Sequence, residues 1–167
     1  RARGMARELD RLGVAHGARV AIVSPNSARF VISLYGVSAF GRVLVPINFR
    51  LNAEEVGYIA RHSGAEVLLI DPELAGVLEG VGATHRIPLD GVADAALFAE
   101  SDEPPAHWEP DEDATASINY TSGTTARPKG VQLTHRTLWL HAASIGWHLG
   151  VGARDVYLQG QPLFHCN

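Results

Sequence analysis

The strongest constraint on this 167-residue chain is its switching between two hydrophobic periods. Three short β-branched runs, RVAIVS (19–24), VLVPI (43–47) and EVLLID (66–71), alternate with stretches whose apolar residues return every three or four positions. A short continuous apolar run suits a buried strand, and the three-to-four spacing lines side chains along one helix face. Strands that alternate with helices bury themselves under helical layers. The pattern therefore predicts a layered α/β (αβα) domain.

Local signals place the elements. Met5, Leu9 and Leu12 mark an amphipathic first helix ending near Gly13. Residues 27–41, with Phe30, Leu34 and Val37 on one face, read as a buried helix. Asn52, with Glu55 three residues on, is a capping-box start for a helix over 53–63, and Gly64 suits its stop. Farther on, THRIPLD (84–90) is a weaker strand pattern and 91–99 a short helix candidate. ATASINY (114–120) and VQLTH (131–135) resume strand character. Residues 136–149 read as a helix with Leu138, Ala142, Ile145 and Leu149 in line, and VYLQGQPL (156–163) as a final strand. Residues 100–113 hold seven acidic residues, three prolines and neither Lys nor Arg, the pattern of a solvated surface connection. Arg1, Arg3, Arg7 and Arg11 read as a solvated face of the first helix.

Charge and composition exclude several classes. The net charge of −4 runs against nucleic-acid binding. No apolar run approaches the roughly 18 residues of a membrane span. A lone cysteine, Cys166, excludes an intrachain disulfide framework and fits a reducing, cytoplasmic setting. The chain opens inside a helical pattern without an initiator methionine and stops at PLFHCN, so a truncated piece of a longer protein is expected.

The chemistry concentrates in YTSGTTARPKGVQLTH, Tyr120 to His135. Thr121, Ser122, Gly123, Thr124 and Thr125 lie between a strand and a lysine. Gly123 lets the backbone approach an anion, and the hydroxyls and neighbouring N–H groups donate hydrogen bonds to it. Lys129 adds a positive charge and is the chain's only lysine. A Ser/Thr/Gly cluster is also what an ordinary surface turn contains, so on the residues alone both readings stand. The segment is not a Walker-type loop. Pro128 stands where that motif needs Gly, and Gly130 follows the lysine where it needs Ser or Thr.

YTSGTTARPKGV closely resembles the phosphate-binding signature of the adenylate-forming (AMP-binding) superfamily, which includes acyl-CoA synthetases, aryl-CoA ligases, luciferases and peptide-synthetase adenylation domains. GVAHGARVAIVSPNS, GRVLVPINFRLNAEEVGYIARHSGAEVLLID and LTHRTLWLHAASIGWHLGVGARDVYLQGQPLFHCN are similar to N-terminal-domain sequence of these enzymes, so the likeness covers nearly the whole chain. PLFHCN is most like the fatty acyl-CoA synthetases. Ala126 departs from the pattern, standing where the family mostly has Gly. If that position takes a positive φ, its Cβ costs about 1 kcal/mol.

The resemblance implies an ATP-dependent, AMP-forming acid–thiol ligase. A carboxylate, in the first instance a fatty acid, attacks the α-phosphate of ATP, and the thiol of coenzyme A then displaces AMP. Within that scheme residues 1–167 are part of the N-terminal AMP-binding domain, 100–113 an acidic connection and 120–130 the phosphate-binding loop. Thr121, Ser122, Gly123, Thr124, Thr125 and Lys129 would hold the ATP phosphates, with Mg²⁺ sharing the charge. His165 would lie where the acyl pocket meets the nucleotide. The family's catalytic lysine belongs to a C-terminal domain that this chain lacks, so no catalytic residue is assigned and the chain alone is expected to be inactive. The alternatives are an adenylating ligase for aryl, short-chain or amino acids, and a non-catalytic nucleotide- or acyl-binding module.

Other residues invite chemistry less. In an extended segment His165 and Cys166 point to opposite faces, against a Cys–His nucleophile. His135, His141 and His148 are six and seven residues apart, spacings that do not gather metal ligands on one helix turn. Trp139 and Trp147 read as packing residues. For His165, the competing structural reading is a half-buried histidine bonded to a backbone carbonyl at the end of a strand.

Overall fold

The computed structural model describes residues 1–121 and 127–165. Its elements are α1 (Ala2–Arg11), β1 (Arg19–Val23), α2 (Ala28–Ser38), β2 (Val43–Ile47), α3 (Ala53–Ser63), β3 (Ala65–Ile70), β4 (His85–Pro88), β5 (Thr115–Thr121), β6 (Lys129–Thr134) and α4 (His135–Leu149). The strands form one sheet in the order β4-β3-β1-β2-β5-β6. All neighbours are parallel except β5 and β6, which form an antiparallel pair.

The layering follows from the side chains. β1 is central, and Val20 to Val23 are all buried, because a parallel strand with helices on both sheet faces meets apolar packing whichever way a side chain points. One face carries α1 and α2, with Met5, Leu9, Phe30 and Val37 packed against Val20, Ile22, Leu44 and Leu69. The other carries α3, with Val56 and Ile59 against Ala21, Val23, Val45 and Leu68. The αβα expectation holds.

Capping sets the limits of α3 as its sequence predicts. The Asn52 side chain accepts from the Glu55 N–H and the Glu55 carboxylate from the Asn52 N–H, both at 3.0 Å. Gly64 ends the helix at φ +67°, a conformation L side chains rarely adopt. β2 pairs with β5 only at Leu44↔Ser117. Pro46, lacking an N–H, cannot extend that ladder toward the strands' carboxyl ends.

Four expectations are corrected. Residues 91–99 form turns rather than a helix. There the Asp90 side chain accepts from the Val92 and Ala93 N–H groups and Asp94 from that of Gly91, local bonds that compete with a helical ladder. Residues 156–163 form no strand. Val156 and Leu158 are 98% and 90% exposed with no ladder partner, and the chain instead turns into a 3-10 segment, Leu163–His165, pinned by Asn26. Trp139 and Trp147 are 69% and 86% exposed, because α4 buries none of its residues among those described. A cavity of about 430 Å³, with Leu34, Tyr35, Leu138 and Trp139 in its wall, lies between α2 and α4.

The fourth correction concerns α1. Arg1, Arg3 and Arg7 are not simply solvated: they hold the acidic connection, while Arg11 pairs with Glu8 within the helix at 2.6 Å. Arg1 pairs with Glu100 at 3.3 Å, Arg3 donates to the Asp102 carbonyl at 3.4 Å, and Arg7 meets both Ser101 and Glu103. Gly4 lets residue 99 lie against the helix, since a Cβ there would fall 2.0 Å from the Ala99 carbonyl oxygen. Behind this strip Asp10 accepts from the Ala106 N–H at 2.7 Å and pairs with the buried Arg42 guanidinium at 2.5 Å. Burial alone pushes the Asp10 carboxyl up, but the Ala106 N–H and Arg42 outweigh it and hold the carboxyl below its ordinary range.

Candidate functional site

An open α/β sheet offers its ligand crevice at the carboxyl ends of its parallel strands. Three of the residues singled out by sequence stand at that edge or on the hairpin leading from it. Thr121 ends β5, and Lys129 begins β6 as its cross-strand partner, with Tyr120↔Gly130 the pair below. β6 thus starts two residues earlier than the sequence pattern suggests. Ser122, Gly123, Thr124, Thr125 and Ala126 lie outside the described residues, as does Cys166. Lys129 is exposed and has no carboxylate within ion-pairing distance among the described residues, whereas six of the arginines are paired with carboxylates.

The root of this hairpin is built on aromatic packing. The Tyr120 ring lies across Gly130, where a Cβ would come 3.2 Å from the ring and 2.9 Å from Ile118, so a larger residue there would push these side chains aside. The Tyr120 hydroxyl and His62 Nδ1 share a hydrogen bond of 2.8 Å, and His62 stacks on Tyr58 with ring centres 5.3 Å apart. Burial, with the neighbouring Tyr58, pushes the Tyr120 phenol up, so it stays neutral across the physiological range. Tyr58 Oη donates to the Pro128 carbonyl at 3.4 Å, and the Arg127 guanidinium sits 5.7 Å from the Tyr58 ring centre. Sequence reasoning missed this set. Its signal was the four-residue spacing of Tyr58 and His62, which places both on one face of α3.

His165 reaches the same edge by another route. It sits in the 3-10 segment Leu163–His165, exposed, with its imidazole in ring contact with Phe164 at 4.3 Å. Phe164 is buried and meets Phe49, just past β2, edge-on at 5.8 Å. Asn26, just past β1, fixes the segment by donating to the Gln161 carbonyl and accepting from the Leu163 N–H. The competing structural reading, a half-buried histidine bonded to a carbonyl, is not met among the described residues, where His165 is exposed. Because β2 and β5 are neighbours, the His165 segment and the end of β5 share one sheet edge.

A cavity of about 550 Å³ opens behind the hairpin, toward the amino ends of β1 and β2, with Arg19, His62, Trp108, Tyr120, Gly130 and His135 in its wall. None of Thr121, Lys129 or His165 lines it. It lies on the side of the hairpin away from these three residues. Among the described residues no helix is long and apolar enough to cross a membrane.

Comparison with known proteins identifies the family and the fold. Residues 1–167 match the family described as AMP-binding enzyme. The chain is 38% identical over 167 residues to the long-chain-fatty-acid–CoA ligase FadD13 of Mycobacterium tuberculosis, an alignment covering 94% of this chain and 32% of that protein. It is 35% identical over 177 residues to a long-chain-fatty-acid–CoA ligase of Thermus thermophilus, covering 100% of this chain and 33% of the relative. Among solved structures, the inhibitor-bound N-terminal domain of FACL13 from Mycobacterium tuberculosis superposes with a TM-score of 0.84 at 38% identity, covering 98% of this chain and 42% of that one. The chain spans about a third of the length of the curated relatives it matches.

Proposed function

The chain belongs to the AMP-binding enzyme family, and from that premise we propose that the protein carrying it is an ATP-dependent acyl-CoA ligase. Its acid is a carboxylic acid, long-chain fatty acids first, as the names of its relatives suggest. In this reading residues 1–167 are part of the N-terminal AMP-binding domain, the protein works in the cytoplasm, and its partners are ATP, the acid and coenzyme A. The carboxylate oxygen bonds to the α-phosphorus of ATP while the bond to the β-phosphate bridging oxygen breaks, releasing pyrophosphate. The coenzyme A thiol, losing its proton, then attacks the acyl carbonyl and expels AMP.

This chain's contribution is positioning and charge neutralisation, which adenylyl transfer needs more than covalent help. Lys129, Thr121 and the loop residues Ser122, Gly123, Thr124 and Thr125 hold the β- and γ-phosphates. His165 orients the acyl group at the junction of acid and nucleotide. Mg²⁺ would share the charge of the ATP phosphates beside Lys129. The observation that carries the reading is the pairing of Thr121 with Lys129, which has no carboxylate partner among the described residues, at the sheet's carboxyl edge, beside the Phe49–Phe164–His165 group.

The test is acid-dependent ATP–pyrophosphate exchange by the full-length protein across fatty, aryl, short-chain and amino acids. Lys129→Ala should slow adenylation by the roughly 1.5–3 kcal/mol of a hydrogen bond to a charged group, and spare thioester formation from preformed acyl-adenylate. Equal damage to both half-reactions would make Lys129 structural. For His165→Ala, an unchanged Tm with reduced kcat/KM that depends on the acid supports positioning. A lowered Tm with normal adenylation per folded molecule would overturn it.

A further inference from the structure

Lys129 is bracketed in sequence by two residues that α3 holds in place. On one side, the Pro128 carbonyl accepts from Tyr58 Oη, and the preceding Arg127 places its guanidinium over the Tyr58 ring. On the other, Gly130 lies under the Tyr120 ring, whose hydroxyl is bonded to His62. Tyr58 and His62 stack on each other, so the two anchorages are one continuous aromatic unit on a helix capped at both ends. β6 has no neighbour beyond β5 in the sheet order, and Lys129 to Gln132 are exposed. Beyond the β5 ladder, the anchorage of the lysine's backbone by side chains is thus supplied by α3. We propose that Tyr58, with His62, is a positioning residue for the Lys129 ammonium: it fixes the start of β6 so that the lysine meets the ATP phosphates without first being ordered. The proposal rests on the phosphate-binding reading of Lys129 given above.

A pre-placed cation lowers the cost of ordering a side chain on binding. Losing the placement therefore weakens ATP binding and leaves the bond-making step alone. In the full-length protein, Tyr58→Ala should raise the KM for ATP by about tenfold, with kcat within about twofold and the KM for the acid unchanged. Tyr58→Phe keeps the ring against His62 and Arg127 and loses only the long bond to Pro128, so it should restore the KM for ATP to within about threefold of wild type. His62→Ala, a change at an exposed residue, should shift the KM for ATP in the same direction and serves if Tyr58→Ala does not fold.

The decisive measurement is the coupling. With Lys129 already replaced by Ala, Tyr58→Ala should add no more than about twofold to the KM for ATP, because the group it places is gone. An equal penalty in both backgrounds, or a fall in Tm with an unchanged KM for ATP, would assign Tyr58 a merely structural role and overturn the proposal. If Lys129→Ala itself leaves the KM for ATP unchanged, the phosphate-binding reading fails and the proposal goes with it. If Lys129→Ala raises it and neither Tyr58→Ala nor His62→Ala does, the proposal alone fails.

Discussion

α3 and α4 are built from the same local signals and end in opposite situations. Each is capped by a polar side chain, Asn52 and Thr134, that accepts from an N–H three residues on, and each stops at a glycine with positive φ, Gly64 and Gly150. α3 buries Val56, Gly57, Ile59, Ala60 and Ser63, whereas α4 buries nothing among the described residues. The contrast extends to their surroundings. Beyond Ala116 the buried apolar side chains described are Leu163 and Phe164, while Trp147, Leu149, Val156 and Leu158 stand in solvent. Caps decide where a helix starts and stops, but packing of an apolar face supplies most of its stability. The sheet and its packed layers, joined by Leu163 and Phe164, therefore carry the fold, and α4 rides beside them.

The largest expected effect tests that division directly. Phe30→Ala, in the core between α2 and the sheet, should cost about 3–5 kcal/mol in denaturant unfolding, whereas Trp147→Ala should stay within about 0.5 kcal/mol. A large loss from Trp147→Ala would show that α4 is packed after all. Next comes Gly4→Ala, whose Cβ would meet the Ala99 carbonyl and should cost about 1–3 kcal/mol as residue 99 is pushed off α1. An unchanged midpoint would mean that the connection is not seated there.

A sharper version compares the two caps. Asn52→Ala should lower global stability by about 1 kcal/mol. Thr134→Ala should speed amide exchange in α4 without moving the global midpoint, since α4 opens by itself. Equal exchange protection in the two helices would break the comparison.

The smallest effect concerns Asp10. Its folded-state carboxyl is held below the usual value, so the stability it contributes is complete above about pH 5 and is lost as the pH falls through the folded value. Asp10→Asn should therefore lose less stability than wild type between about pH 5 and pH 3. Parallel curves would mean that the Arg42–Asp10 pair does not favour the charged carboxyl.

What could be read in advance was local. The Asn52–Glu55 box and the β-branched runs each announce themselves within a few residues. The 156–163 run failed because a strand is a statement about a neighbour, and Val156 and Leu158 have none. Asp90 and Asp94 turned 91–99 away from a helix through bonds to their own backbone. The α3 aromatic unit and the α1 arginine strip join residues 58 and 94 or more positions apart, a distance over which no periodicity speaks. At the candidate site, Thr121, Lys129 and His165 were named from the sequence and stand at one sheet edge, whereas Tyr58 and His62, which pack beside the hairpin, were not.

The seating of residues 99–106 on α1 also has a consequence for synthesis in the cell. At about 5–20 residues per second, the roughly thirty residues between Met5 and its apolar partner Gly36 are translated in about 2–6 seconds, and the further stretch to the acidic strip takes the total to about 5–20 seconds. During that interval α1 can already lean on α2 while Arg1, Arg3 and Arg7 still wait for the acidic segment that pairs with them. Until it arrives the three charges are screened by solvent ions alone, so ionic strength should influence how readily the strip is seated.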